Sequence, residues 1–338
     1  MAVSRAVEEL SGLQLLDGSD RDRLATLASL LTPVDEPAGR VLARQGEAAD
    51  SFLLVVTGEA AVSLDDGDGP HRVGTIAPGS IVGELSVLRS SPRSATVVAS
   101  RPLTGYVGDA HAFMALLDVP GVAERIQRTA RQRLAANTRP VAITLRDAQL
   151  LVRPILPSDR GKLADTQPGF SRESHYRRFF SAPPLSEKVI RYLIDVDYCD
   201  HFAWVVLAAD DAGEPGVASA RYIRERDSHD IAEVAFAVVD EYQGRGLGTF
   251  LLGALAVAAT ENGVQRFRAR VLAENEPMRA ILRRADAHFE FAEPGVLETL
   301  IDVPPFGAGL PGVAVAEALR DAARQIVVAA DLALGAGS

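Results

Sequence analysis

Residues 230–239 (DIAEVAFAVV) offer no polar face at a two-residue period. As a strand, this stretch puts Ile231, Glu233, Ala235 and Ala237 on one side and Ala232, Val234, Phe236 and Val238 on the other. Both sides are apolar except at Glu233. A strand of this kind needs cover on both faces, which places it at the centre of a layered α/β sheet. The carboxylate is costly there unless it is solvated or partnered. Two explanations stay open from the residues alone. Glu233 either lies near a strand end, reaching water or an arginine such as Arg221, or it does chemistry.

The surrounding pattern fits that sheet. Strand-like runs at 149–155, 201–209, 216–223, 266–271 and 297–302 alternate with helical patterns that start at Pro157-Ser158-Asp159 and cover 246–262 and 275–285. The first half of the chain differs. From 36 to 108 short alternating runs are cut by Gly39, Gly46, Gly58, Gly74, Gly79 and Gly83, with no helix between them, as in a jelly-roll or small barrel. Helical patterns at 21–31 and 119–137 flank it, the second stopped by Arg139-Pro140. The expected fold is therefore two domains: an N-terminal β jelly-roll or barrel with flanking helices, and a C-terminal α/β domain with a mixed central sheet. The expected boundaries are 1–140, a linker at 141–148, 149–304, and a helical extension at 305–338.

Several classes are disfavoured. A net charge of −10 over 338 residues opposes binding to a nucleic-acid backbone. No apolar run reaches the ~18–20 residues of a membrane span, and the N-terminus lacks the pattern of a signal peptide. The single cysteine, Cys199, excludes an internal disulfide and a cysteine-based zinc site, and no metal is expected. A cytoplasmic protein without nucleic-acid or membrane partners is the expectation.

In the first half, Gly83-Glu84 precedes a helical turn (Leu85, Val87, Leu88), and Arg93 follows nine residues after Glu84. Free N–H groups at a short helix start, with a forked guanidinium nearby, suit a phosphate, and a carboxylate suits a ribose hydroxyl. A plain Glu84–Arg93 salt bridge is the bland alternative. The whole string GSIVGELSVLRSSPRSATV resembles the phosphate-binding cassette of cyclic-nucleotide-binding domains, a resemblance that extends over residues 10–137. It implies that Glu84 takes the ribose 2′-hydroxyl, that Arg93 takes the cyclic phosphate, and that Gly83, Leu85, Ser86, Ser94 and Ala95 add contacts. The Arg93-Ser94-Ala95 order is similar to that of bacterial catabolite activators, favouring cyclic AMP over cyclic GMP. Thr129 and Arg133 are candidates for capping the adenine. A catabolite activator would continue into a helix-turn-helix, which this chain lacks.

In the second half, Gln243-Gly244-Arg245-Gly246-Leu247-Gly248 follows the central strand. A triphosphate loop would require a Lys-Ser/Thr ending, and a dinucleotide fold would require Gly-x-Gly-x-x-Gly; neither is present. The string resembles the Gln/Arg-x-x-Gly-x-Gly/Ala pyrophosphate loop of GNAT acetyltransferases, and the likeness covers 150–303. By that resemblance Val238 and Val239 pair with the pantetheine arm of acetyl-CoA, and Gln243, Gly244, Arg245, Gly246, Leu247, Gly248 and Thr249 hold the pyrophosphate. Asn275 contacts the cofactor and Glu233 is the general base. One departure is Leu282, which stands where many members carry a tyrosine acid.

Together the halves resemble the cyclic-AMP-regulated protein lysine acetyltransferases of actinobacteria. The implied partner is a protein with an exposed lysine, an AMP-forming acyl-CoA synthetase among them. Acetylation of a small amine, or sensing of acetyl-CoA without catalysis, are the alternatives. Residues 167–186, with His175, Arg177 and Arg178, read either as a lid over the site or as an ordinary helix covering the sheet.

Overall fold

The computed structural model of the chain describes residues 2–334 apart from 49, 66, 68, 84–86, 88–91, 167–168, 180–183 and 209–213. Two compact units divide the chain, residues 1–129 together with 330–338 and residues 130–329.

The first unit is built of two four-stranded antiparallel sheets. One joins β1 (Thr32–Glu36), β8 (Leu103–Asp109), β3 (Ser51–Thr57) and β6 (Ile81–Val82). The other joins β2 (Val41–Ala43), β7 (Thr96–Ala99), β4 (Ala60–Asp65) and β5 (Pro70–Ile76). Alternation along β3 explains the layering. Leu53 and Val55 cluster with Ala60, Val97 and Ala99 of the other sheet, whereas Phe52 and Leu54 pack with Leu10, Leu27, Phe113 and Leu116. These last come from helices α1 (Ala2–Ser11), α2 (Arg21–Leu30) and α3 (Ala110–Leu117). A further helix, α4 (Val122–Asn137), carries the chain across the division.

The second unit has one eight-stranded sheet in the order β15-β16-β14-β13-β12-β11-β10-β9. Its strands are β9 (Val141–Leu145), β10 (Ala148–Pro154), β11 (His201–Ala208), β12 (Gly216–Glu225), β13 (Ser228–Val238), β14 (Arg266–Leu272), β15 (Glu290–Glu293) and β16 (Val296–Asp302). Helices α5 (Arg160–Thr166), α6 (Arg172–Phe179) and α7 (Glu187–Ile194) lie between β10 and β11 in sequence. They are followed by α8 (Leu247–Glu261), α9 (Glu276–Arg283) and α10 (Val313–Leu334). Residues 141–148, expected as a linker, instead hold β9, which pairs antiparallel with β10 from Val141↔Val152 to Ala148↔Leu145. The alternation Val141-Ala142-Ile143-Thr144-Leu145 was sufficient for a strand, and Ile143 is buried.

α8 is buried along most of its length, and the Trp204 indole donates to the Ala254 carbonyl at 2.9 Å. β13 is central, as expected, but its cover changes along its length. Ile231, Ala232 and Val234 are buried, whereas Glu233 is exposed and Ala235–Val238 are half-buried on both faces.

The pairing of β13 accounts for this. β13 runs beside β12 to Val238, but it meets its parallel neighbour β14 only at Ile231↔Arg266, Ala232↔Phe267 and Glu233↔Arg268. Beyond Glu233 the two strands part, and the sheet opens into a wedge.

Among the described residues no helix is long and apolar enough to cross a membrane, and no cluster of His, Cys, Asp or Glu has metal-binding geometry.

The start of α5 rests on a buried ion pair. Arg153 grips both Asp159 oxygens at 2.7 Å, and Asp159 also accepts from Leu156 N at 2.8 Å. Removing one partner leaves the other charge buried and bare, which costs about 3–5 kcal/mol. Asp159→Ala is expected to lower unfolding stability by about that amount, read from the denaturant midpoint.

Candidate functional site

In the first unit the chemistry centres on Arg93. Its backbone is clamped: Arg93 N donates to Glu47 O at 2.8 Å, and Arg93 O accepts from Gly46 N at 2.9 Å. The guanidinium donates to Ser51 O at 2.8 Å and lies against Gly83. Gly83 has φ +85°, and a Cβ there would sit 1.8 Å from Arg93 Nη1. Glycine is thus needed both for its conformation and for the space the guanidinium occupies. Ser94 is exposed and Ala95 half-buried beside it. Glu84, Leu85 and Ser86 lie outside the described residues. The Thr129 hydroxyl turns back along its own helix to Arg125 O at 2.9 Å.

In the second unit the wedge between β13 and β14 is a cavity of about 1230 Å³. Glu233 stands where the strands part, and Val234 to Val238 line one wall. Ala269, Arg270 and Val271 line the other wall. Gly244, Gly246, Leu247, Gly248 and Thr249 close one end, with Asn275 and Ile281. Strand alternation sets the direction of the free peptide groups. Val239 N donates to Val217 O at 3.0 Å, so alternate residues Val238, Phe236 and Val234 turn their N–H and C=O groups to the gap. This corrects one expectation: Val239 is buried with its N–H already used by β12, which leaves Val238 as the donor facing the wedge.

The glycine loop turns through Gly244 (φ +71°) and Gly246 (φ +93°), and Gly246 caps α8 without a side chain. The first N–H groups of α8 are left for a ligand, the arrangement that binds anions. Gly248 serves closeness: a Cβ there would lie 2.4 Å from Ile281 Cδ1 of α9. Gln243 donates to Ser174 Oγ, Val238 O and Asp240 Oδ1, each at 3.1 Å. Asp240 Oδ2 accepts from Ser171 N at 3.2 Å. Burial would raise the Asp240 carboxyl, but hydrogen bonds from Ser174 and Ser171 hold it below its ordinary value. The Arg245 side chain leaves the cavity for the Tyr242 ring and for Asp147 at 3.4 Å. The Asn275 side-chain oxygen caps α9 by accepting from Met278 N at 3.3 Å. Leu282 is fully buried in the core, so no proton donor stands at that position.

Arg177 and Arg178 of α6 line the same cavity, with Arg177 also paired to Glu173. His175 does not line it; it is buried and its ring meets Phe179 at 4.8 Å. Burial pulls the Arg178 guanidinium down to about 10, with Glu233 pulling the other way. Burial, followed by the charge of Arg178, takes Arg221 down to about 9.

The sequence reading missed Arg284, which lines the cavity beside Thr249 Oγ1 at 3.5 Å, and the Ser171–Asp240 and Ser174–Gln243 contacts. The Ser–Asp and Ser–Gln contacts each join residues 69 apart in sequence, with no local motif to signal them.

A cyclic nucleotide-binding domain profile matches residues 34–119, and an acetyltransferase (GNAT) domain profile matches residues 149–288. Over 320 residues the chain is 42% identical to acetyltransferase Pat of Mycolicibacterium smegmatis, covering 94% of this chain and 96% of that one. The chain belongs to the Pat family of acetyltransferases. Among solved structures, a single-residue mutant of a cAMP-binding acyltransferase from Mycobacterium smegmatis is 40% identical. It has a TM-score of 0.50, covering 97% of this chain and 99% of that one. The CRP-like cAMP-activated global transcriptional regulator of Mycobacterium tuberculosis is 26% identical over 40% of this chain and 61% of its own length. The family thus combines the two domain types that the two sites lie in.

The crowding at Gly83 has a direct consequence. Gly83→Ala forces the Arg93 guanidinium off its seat, and is expected to weaken cyclic-nucleotide affinity by about tenfold or more, the loss of a charge-assisted contact. Titration calorimetry with cyclic AMP checks it, and an unaltered affinity would show that Arg93 does not hold the phosphate.

Proposed function

We propose that this acetyltransferase moves the acetyl group of acetyl-CoA to the ε-amine of a protein lysine under control of cyclic AMP, with Glu233 as general base. The observation that carries the reading is the position of Glu233. It is an exposed carboxylate at the parting of β13 and β14, in the cavity that the glycine loop closes.

The donor's pyrophosphate lies on the N–H groups of Leu247, Gly248 and Thr249, with Arg284 adding charge from α9 and Asn275 lining the approach. The pantetheine arm takes the place of the missing ladder along Val234, Phe236 and Val238. A lysine ammonium, reference pKa ~10.4, must lose a proton before it attacks. Glu233, directly or through a water, takes that proton. The amine nitrogen then bonds to the thioester carbon, a backbone N–H on the free edge of β13 stabilises the developing oxyanion, the C–S bond breaks, and the second N–H proton passes to water. The free thiol pKa is ~8.5, so CoA leaves tolerably well as thiolate without a dedicated acid at Leu282.

In the first unit Arg93 takes the cyclic phosphate and Glu84 the ribose. The order Arg93-Ser94-Ala95 supports cyclic AMP, and so does the likeness to the 40%-identical cAMP-binding acyltransferase from Mycobacterium smegmatis. Protein acceptors, acyl-CoA synthetases among them, follow from the family resemblance. Residues 167–186 act as the element that nucleotide binding moves, because α6 brings Arg177 and Arg178 into the cavity of Glu233.

Two outcomes are expected. Glu233→Gln should lower turnover by ~10²–10⁴ while acetyl-CoA affinity, measured by calorimetry, stays close to wild type; equal turnover would remove Glu233 from the mechanism. Limited proteolysis should change its cleavage pattern within 167–186 when cyclic AMP is added, and an identical pattern would argue against a moving lid.

A further inference from the structure

Arg178 and Arg221 take no part in the acetyl transfer described above. Arg221 sits on β12 opposite Ala235, two residues past Glu233 on the same face of β13, and is 3% exposed. Its Nη1 donates to the Leu193 carbonyl at 2.7 Å and meets the His201 ring at 3.1 Å; neither partner is an anion. Arg178 is half-buried, with its guanidinium 4.8 Å from the Phe179 ring centre. The Nε atoms of both are enclosed without a hydrogen-bond partner, and neither guanidinium forms a salt bridge among the described residues.

Nearby carboxylates are already engaged: Asp159 by Arg153, Glu225 by Arg268, Glu173 by Arg177. Glu233 is the one carboxylate that acts on Arg178, followed by a smaller pull from the Tyr192 phenol. Two guanidiniums against one carboxylate leave a positive charge uncompensated in partly apolar surroundings, an expensive arrangement unless a ligand supplies the counter-charge. The same two arginines, with Phe179, Leu193 and Ala237, also line a second pocket of about 40 Å³ that shares these residues with the main cavity. That is room for a group about the size of a carboxylate, since about 10–15 Å³ of such space already holds a water.

We propose that Arg178 and Arg221 form a carboxylate subsite for the distal end of a dicarboxylic acyl-CoA donor, of which succinyl-CoA is the four-carbon case. The proposal rests on reading the cavity as an acyl-CoA site. The bond changes are those of acetyl transfer. The amine N–C bond forms, the C–S bond breaks, the amine proton goes to Glu233 and CoA leaves as thiolate. The distal carboxylate is unchanged and serves only as a handle. Ala235 and Ala237, on the Glu233 face between the thioester position and the arginines, leave space for the added carbons.

The test is calorimetric binding of acetyl-CoA, butyryl-CoA and succinyl-CoA to the full-length protein without an acceptor, so that no acceptor carboxylate contributes. Butyryl-CoA matches the succinyl chain length without its charge. Succinyl-CoA is expected to bind about tenfold tighter than butyryl-CoA, the worth of a charge-assisted contact. Arg178→Met is expected to bring that ratio close to one. Arg178 is the variant of choice because Arg221 also anchors α7 through Leu193. A wild-type ratio of one or less overturns the proposal without any variant, and so does a ratio that survives in Arg178→Met. Failure of all three thioesters to bind would instead refute the acyl-CoA reading itself.

Discussion

The second unit depends on a row of backbone hydrogen bonds that its sheet does not make. Once β13 leaves β14 after Glu233, the peptide groups of Val234, Phe236 and Val238 face a gap in the middle of an eight-stranded sheet. Buried backbone groups must be paired or hydrated. An unpaired edge inside a sheet invites any extended chain that offers amides of its own, and the pantetheine arm of CoA is such a chain. In the function proposed above, the wedge sets where the donor's arm lies and which carboxylate the thioester meets. Trp204 on β11, bonded to the Ala254 carbonyl, and the small apolar residues of α8 keep the helix tight against the sheet, so the anion-binding end of α8 stays aligned with the gap.

Charge in the cavity is divided unevenly. Arg177, Arg178, Arg221 and Arg284 line it along with Glu233. A cationic environment disfavours an incoming ammonium and favours the neutral amine, the form that attacks. The same environment suits the phosphates of a CoA ester. A net-acidic protein has in this way built a locally basic chamber around its single exposed carboxylate on β13.

Local signals in the sequence carried much of this. The two-faced apolar run at 230–239 announced a central strand, and the string from Gln243 to Gly248 announced a glycine turn opening a helix, because both follow from spacing along one element. The wedge was not legible. Whether β13 and β14 stay paired depends on the approach of two segments 35 residues apart, as Ile231↔Arg266 and Glu233↔Arg268 show. The same limit hid the exposure of Glu233, the loss of the Val239 N–H to Val217, and the partners of Asp240. β9 was missed for another reason: five alternating residues after a proline resemble a connector until a neighbouring strand is known.

Gln243 and Asp240 open the donor loop, yet they are tied to Ser174 and Ser171 at the start of α6. The glycine loop and α6 therefore draw on one set of hydrogen bonds. Thermodynamic linkage makes such sharing symmetrical: whatever factor a shift of α6 imposes on donor affinity, donor binding imposes on the position of α6. In the function proposed above, these few polar contacts report the occupancy of the donor loop to α6, with no change in the covalent chemistry.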